Sequence, residues 1–171
     1  MWPRGEPLPA LLLTAAFGWV WGSFLNQLAD RSPYRGAPPA GAPAPPPPGV
    51  TWRQPARSVC FACGAPIPWF DNVPVLAWLW LRGCCRRCGA PIGRRTLAVE
   101  LATPLLLVGW HAAWRAADGS IGTLLPGAGL AGWLLLLVVL WAEGRRVHPG
   151  LLLAGAALLL GFAAGVLLPG G

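Results

Sequence analysis

The sequence predicts an all-α polytopic membrane protein with about four transmembrane helices and a small cytoplasmic insert after the first helix. Of its 171 residues, 55% are hydrophobic and only 11% are charged, whereas soluble domains carry about a quarter charged residues. The apolar residues form four long stretches, and most of the arginines lie between the first two. This composition excludes an ordinary soluble enzyme, and its wealth of apolar residues excludes a disordered basic tail.

The four apolar stretches predict the membrane spans. Their boundaries are 9–29, 97–114, 121–142 and 150–168. About 20 apolar residues cross the hydrocarbon core as a helix, which satisfies its own backbone hydrogen bonds. Glu100 and Pro104 interrupt the second stretch. The alternative for the first stretch is a cleaved signal peptide, but the run is longer than a usual signal core and does not end in a cleavage site.

The arginines predict the orientation of the chain. Segment 30–96 holds nine of the 13 basic residues and two of the six acids, so the whole net charge of +7 lies there. Because loops rich in Lys and Arg remain cytoplasmic, we expect segment 30–96 and the loop 143–149 to face the cytoplasm and both termini to lie outside. Within this segment, residues 36–49 are Pro-rich and predict an extended spacer. A ligand for a proline-recognition domain is the alternative.

Two CxxC turns are the strongest local signal in the insert. Cys60–Ile67 and Cys85–Ile92 both read Cys-x-x-Cys-Gly-Ala-Pro-Ile. Two such turns at this separation are typical of a structural site in which four thiolates, those of Cys60, Cys63, Cys85 and Cys88, bind Zn²⁺. Such a zinc knuckle would help to fold a segment too short for a large core.

Two disulfides or free thiols are the alternatives to zinc, and the reducing cytoplasm disfavours the former. Cys84 adjoins the second turn as a bystander or as a substitute ligand for Cys85.

The arginines around this turn favour contact with anionic lipid headgroups over contact with nucleic acid. Between the turns, the apolar segment 68–82 fits the core of the zinc unit or a membrane-facing surface. Its acid Asp71 is interpreted as a turn or cap residue, with binding of a substrate amine or cofactor hydroxyl as the alternative.

Several residues before, between and after the CxxC turns belong to the same sequence pattern as the turns. These residues are Gly22, Ser23, Phe24, Asn26, Arg31, Asp71, Asn72, Arg82, Arg95 and Glu100. In order and spacing, over roughly residues 18–105, the whole pattern resembles the N-terminal half of the prepilin leader peptidase/N-methyltransferase family. The Pro-rich spacer looks like an insertion into that pattern.

This resemblance implies a bacterial inner-membrane protein that acts on type IV prepilins or type II secretion pseudopilins. The family cleaves the leader peptide with two Asp in its C-terminal half. It also methylates the new N-terminus with S-adenosylmethionine, an activity associated with the Cys-rich region. These motif residues are therefore candidate functional residues of this chain.

The sequence departs from the family where the two Asp are expected. The first position aligns with Ala142, beside Glu143, and no Gly-x-Gly-Asp follows. Aspartic proteolysis needs two close carboxylates that share a proton. Glu143 and Glu100 are the weak replacement candidates, so we do not expect peptidase activity from this chain alone, and the catalytic residues stay unassigned.

Three hypotheses follow. The first is an enzyme, a methyltransferase-type module that works on pilins cleaved by another protein; this rests on the resemblance, because the sequence has no dinucleotide-type glycine fingerprint. The second is a non-catalytic membrane partner or scaffold. The third is the N-terminal fragment of a split prepilin peptidase, whose Asp pair lies in another chain.

Overall fold

The computed structural model describes residues 7–38, 45–51 and 58–167, and these residues fold into five α-helices and one 3₁₀ turn. The helices are α1 Pro7–Arg31, α2 Leu76–Trp80, α3 Arg94–Ala116, α4 Ile121–Ala142 and α5 Pro149–Leu167, and the 3₁₀ turn is Trp69–Asn72. Within those ranges β-pairing is limited to isolated bridges. The predicted all-α fold class is confirmed. Part of the Pro-rich spacer, residues 39–44, lies outside the described residues.

Four of the helices are long and apolar enough to cross a membrane. These segments are Leu8–Arg31, Arg94–Ala116, Gly122–Ala142 and Pro149–Leu167. The second of these segments, α3, begins at Arg94, before the apolar stretch, and continues through Pro104 without a break. Large side chains such as Leu13, Leu105 and Leu153 are exposed on the outside of the bundle, as expected for helices whose outer face meets lipid.

The closest helix pair is α1 with α3, and two glycines allow it. A β-carbon at Gly18 would lie 2.5 Å from the Cα of Pro104, and one at Gly22 would lie 2.9 Å from the Oγ1 of Thr103. Gly18 and Gly22 are four residues apart, the small-xxx-small spacing that lets membrane helices approach closely. This spacing is visible in the sequence but does not by itself show which helix packs against α1.

We expect Gly18→Ala to destabilise the bundle by about 1–3 kcal/mol, because the new methyl group meets the backbone of Pro104 rather than a movable side chain. Gly109→Ala on α3 is the matched control, since its β-carbon would meet no atom within 4 Å. Thermal unfolding in detergent measures both. Equal stability of the two variants would contradict this account of the α1–α3 contact.

The turn after α4 joins the bundle to the start of the insert. The backbone of Arg145 forms an isolated bridge with Tyr34, and Arg146 donates its N–H to the Pro33 carbonyl at 2.8 Å. A buried cluster beneath this junction consists of Leu25, Ala29, Val99, Leu136, Leu140 and Leu151. The insert is therefore fixed to the same end of the bundle at which α1 ends, α3 begins and α4 turns into α5.

Candidate functional site

The two CxxC segments form the same turn twice. The N–H of Cys60 bonds to the Ala65 carbonyl at 2.9 Å, and the N–H of Cys85 bonds to the Ala90 carbonyl at 2.8 Å. Gly64 and Gly89 take φ values of +69° and +70° in the corresponding positions, a conformation that glycine adopts without strain. The repeated sequence thus produces a repeated structure, with two thiols at the tip of each turn.

The four thiols of the turns come together. The Sγ atoms of Cys60, Cys63, Cys85 and Cys88 all lie within 4.8 Å of one another. The Cys60 and Cys88 sulfurs are 3.9 Å apart, close to the edge of about 3.8 Å that a tetrahedron with Zn–S bonds of ~2.3 Å requires. The four described thiols therefore suit a metal ion, and zinc fits this donor set. They form no disulfide.

The thiols differ in acidity because their surroundings differ. Burial raises the pKa of Cys60 to about 12, whereas the backbone N–H of Cys88 lowers the pKa of Cys85 to about 7. Cys84 lies outside the cluster of four and pairs with Pro91 across an isolated bridge. The geometry thus favours Cys85 over Cys84 as the ligand from the second turn.

Asp71 ties the segment between the turns to the second turn. Its carboxylate accepts hydrogen bonds from Arg86 at 2.6 and 2.7 Å, and the Trp80 ring N–H lies 3.4 Å away. These contacts with Arg86 lower the pKa of Asp71. The stabilisation from the pair is therefore complete at neutral pH and is lost as the pH falls through that lowered pKa. Asp71 lies within the 3₁₀ turn, and its role as a turn or substrate-binding residue stays a prediction.

A cavity of about 150 Å³ lies between the insert and the α1–α3 pair. We call it the polar cavity. Its wall includes Ser23, Asn26, Arg31, Asn72 and Glu100, five of the residues that the sequence motifs singled out. Asp71 also reaches it. Gly22 lies behind this wall, where a β-carbon would come within 3.2 Å of the Cα of Glu100.

A second cavity, of about 580 Å³, lies under the CxxC turns, and we call it the large cavity. Cys60, Cys85, Arg86 and Arg87 contribute to its wall. Both cavities share several lining residues, namely Asp30, Val59, Phe61, Ile67, Asp71, Ile92 and Thr96. Two adjoining compartments therefore meet at the junction of the insert and the bundle.

A buried ionic network closes this end of the bundle. Arg95 forms salt bridges with Asp30 and, at 2.8 Å, with Glu143. Arg145 is fully buried, lies 2.6 Å from the other oxygen of Glu143, and donates to the Tyr34 hydroxyl at 2.7 Å. The Arg145 guanidinium also stacks over the Tyr34 ring at 4.2 Å. Two acids and two arginines balance, so the network carries no net charge.

Glu100 and Glu143 occupy different environments. Glu143 lies between the guanidinium groups of Arg95 and Arg145, whereas Glu100 accepts a hydrogen bond from the Val75 N–H at 2.6 Å. A proteolytic dyad needs two carboxylates that share one proton. Both oxygens of Glu143 are already engaged by arginines, which disfavours Glu143 in that role.

The remaining predicted residues are spread over the site and its surface. Arg31 is buried and donates to the Thr51 carbonyl at 3.3 Å, and Arg95 also bonds to Asn26 at 2.8 Å. Phe24 and Arg82 are exposed. Asp30, Tyr34 and Arg145 were not among the predicted site residues, because no motif in the sequence contains them.

Comparisons with known proteins bear on this site. A family model described as the bacterial peptidase A24 N-terminal domain matches residues 16–114. The prepilin leader peptidase/N-methyltransferase of Aeromonas hydrophila is 37% identical over 159 residues, covering 78% of this chain and 50% of that protein. The one from Klebsiella pneumoniae is 36% identical over 136 residues, covering 80% and 54%.

The protein of the same name from Myxococcus xanthus (strain DK1622) is 52% identical over a shorter stretch of 50 residues. The chain spans about half the length of the first two relatives. No solved structure was found to match it.

Proposed function

The chain belongs to the bacterial prepilin leader peptidase/N-methyltransferase family, and we propose that it acts as an S-adenosylmethionine-dependent N-methyltransferase-type module in the maturation of type IV pilins or type II secretion pseudopilins. The observation that carries the proposal is the pair of adjoining cavities beside the four-thiol cluster. Methyl transfer between two substrates requires two sites that meet, because the nucleophile must reach the methyl carbon directly.

The two cavities suit different partners. The large cavity, of about 580 Å³, is in the range of pockets that hold small-molecule ligands, and we assign S-adenosylmethionine to it. The polar cavity, of about 150 Å³, admits only the end of a chain, and we assign the pilin N-terminus to it. S-adenosylmethionine supplies an electrophilic methyl group, and the residues around the cavities hold the two partners and exclude water.

Zinc in the four-thiol cluster has a structural role in this proposal. Four protein ligands leave no open position on the metal, so it organises the wall of the large cavity and takes no part in the reaction. In the orientation we propose, the segment 30–96 and its zinc unit face the cytoplasm of a bacterial inner membrane, and both termini face outwards. The arginines of the insert then meet anionic lipid headgroups.

Leader cleavage is assigned to a separate chain of the family. Supporting this, Glu143 is engaged by two arginines and Glu100 by the Val75 N–H, so neither is arranged as half of a dyad that shares a proton. The pilin therefore reaches this protein with its leader already removed.

We expect the zinc-loaded protein in nanodiscs to transfer labelled methyl groups from S-adenosylmethionine to a leader-free pilin peptide. The same peptide with an acetylated N-terminus is the control and should remain unlabelled, because its amide nitrogen is not nucleophilic. The protein should leave an intact prepilin uncleaved. No label on the free peptide, from a protein that is folded and holds zinc, would refute the methyltransferase assignment.

A further inference from the structure

Glu100 differs from the other buried or half-buried acids of the described residues because no arginine pairs with it. Asp30, Asp71 and Glu143 each form a salt bridge with an arginine. Glu100 is only 5% exposed and forms none with the described residues. A buried carboxylate is costly unless a positive or hydrogen-bonding partner compensates it. Arg95 attracts Glu100 without forming a salt bridge with it, so a closer cation would stabilise this carboxylate.

One neutral donor holds the Glu100 carboxylate and leaves part of it open to the polar cavity. The Val75 N–H donates to one oxygen at 2.6 Å, and the side chains of Ser23 and Asn26 line the same cavity as the carboxylate. An ionised carboxylate offers about four acceptor positions. The single Val75 bond therefore leaves acceptor positions open where Glu100 lines the polar cavity.

The backbone is strained at Val75, the residue that donates the hydrogen bond to Glu100. Val75, a β-branched residue, has φ +63°, a genuine outlier for its type. The strained residue is the one whose N–H contacts Glu100. Strain of this kind persists where the surrounding structure requires it, commonly at ligand sites.

We propose that the polar cavity binds a primary ammonium group against Glu100, and that its source is the free N-terminal amine of the processed pilin. This inference rests on the proposed function and names the substrate group that the site recognises. An ammonium group supplies a positive charge and a donor for the open side of the carboxylate. Glu100 then accepts one proton from the ammonium, which frees the nitrogen lone pair to attack the methyl carbon. The volume of about 150 Å³ accepts an amine with its first carbon atoms, next to the large cavity.

The test compares the affinities of two peptides for the full chain, zinc-loaded and in nanodiscs. One is a leader-free pilin peptide with a free amine, and the other is the same peptide acetylated. We expect the wild type to bind the free amine about tenfold more tightly or better. Glu100→Gln should reduce this preference to less than about twofold, because it removes the charge but keeps an acceptor for Val75.

Asp118→Asn is the matched control. It removes the same charge in the α3–α4 turn, at the opposite end of the bundle, and asparagine tolerates the φ of +47° found there. It should retain the full amine preference. S-adenosylmethionine also carries an ammonium group, so its affinity is measured in parallel and should be the same in all three proteins. An unchanged preference in Glu100→Gln, or a loss of S-adenosylmethionine binding instead, would overturn the proposal.

Asn72→Phe provides a second test if Glu100→Gln loses zinc or thermal stability. Asn72 lines the polar cavity from an exposed position, so a larger side chain obstructs the cavity and leaves Glu100 in place. It should weaken binding of the free-amine peptide about as much as Glu100→Gln, and unchanged binding contradicts the site. Label transfer without any amine preference refutes this inference alone, whereas an amine preference without label transfer refutes the methyltransferase assignment alone.

Discussion

Cys85→Ser is expected to abolish tight zinc binding and to unfold the two CxxC turns, whereas Cys84→Ser should change neither. The sulfur of Cys85 belongs to the cluster within 4.8 Å, and that of Cys84 does not. Structural zinc contributes about 10–16 kcal/mol of apparent binding free energy in small zinc domains at neutral pH. Loss of one ligand from four should therefore outweigh the rest of the stability of so short an insert.

Metal analysis of the purified proteins gives the primary measurement. We expect about one Zn²⁺ per chain in the wild type and in Cys84→Ser, and far less in Cys85→Ser. Limited proteolysis within residues 58–93 then reports whether the turns have opened. Equal zinc content in the two adjacent serine variants would show that the neighbouring thiol replaces Cys85, contrary to the geometry of the second turn.

The features that could be predicted from the sequence are those set by local patterns. Long apolar stretches predicted four membrane helices because hydrocarbon selects for length and composition alone. The repeated Cys-x-x-Cys-Gly predicted two equivalent turns, since the positive φ of Gly64 and Gly89 is a local requirement. The motif residues Ser23, Asn26 and Glu100 could be singled out by resemblance, but their meeting in one cavity could not.

The features that could not be predicted depend on contacts between distant parts of the chain. Arg145 and Tyr34 are separated by 111 positions, and no periodic pattern links them. The outlying φ of Val75 is likewise invisible in the sequence, because it arises where the insert docks on Glu100. The pairing of Glu143 with Arg95 and Arg145 likewise joins parts of the chain that no local pattern links.

Arg145→Ala is expected to destabilise the protein by about 3–5 kcal/mol, which is the usual cost of removing one partner from a buried ion pair. The arginine is fully buried and bonds to Glu143, to the Tyr34 hydroxyl and to the Ser32 carbonyl. Without it, Glu143 retains its salt bridge with Arg95 but loses the one with Arg145. The start of the insert also loses the hydrogen bonds that join Ser32 and Tyr34 to the α4–α5 turn. Chemical unfolding in detergent measures the loss.

Arg146→Ala is the matched control, because that side chain is exposed and its backbone bond to Pro33 survives the substitution. This substitution should cost less than about 0.5 kcal/mol of stability.

The double variant Arg145→Met/Glu143→Gln removes one charge of each sign. It should recover part of the stability lost in Arg145→Ala, since an apolar replacement of a buried pair is often tolerated. If Arg145→Ala and Arg146→Ala were equally stable, the network would not anchor the insert. If the double variant retained methyl transfer, Glu143 would be a structural acid with no part in the chemistry.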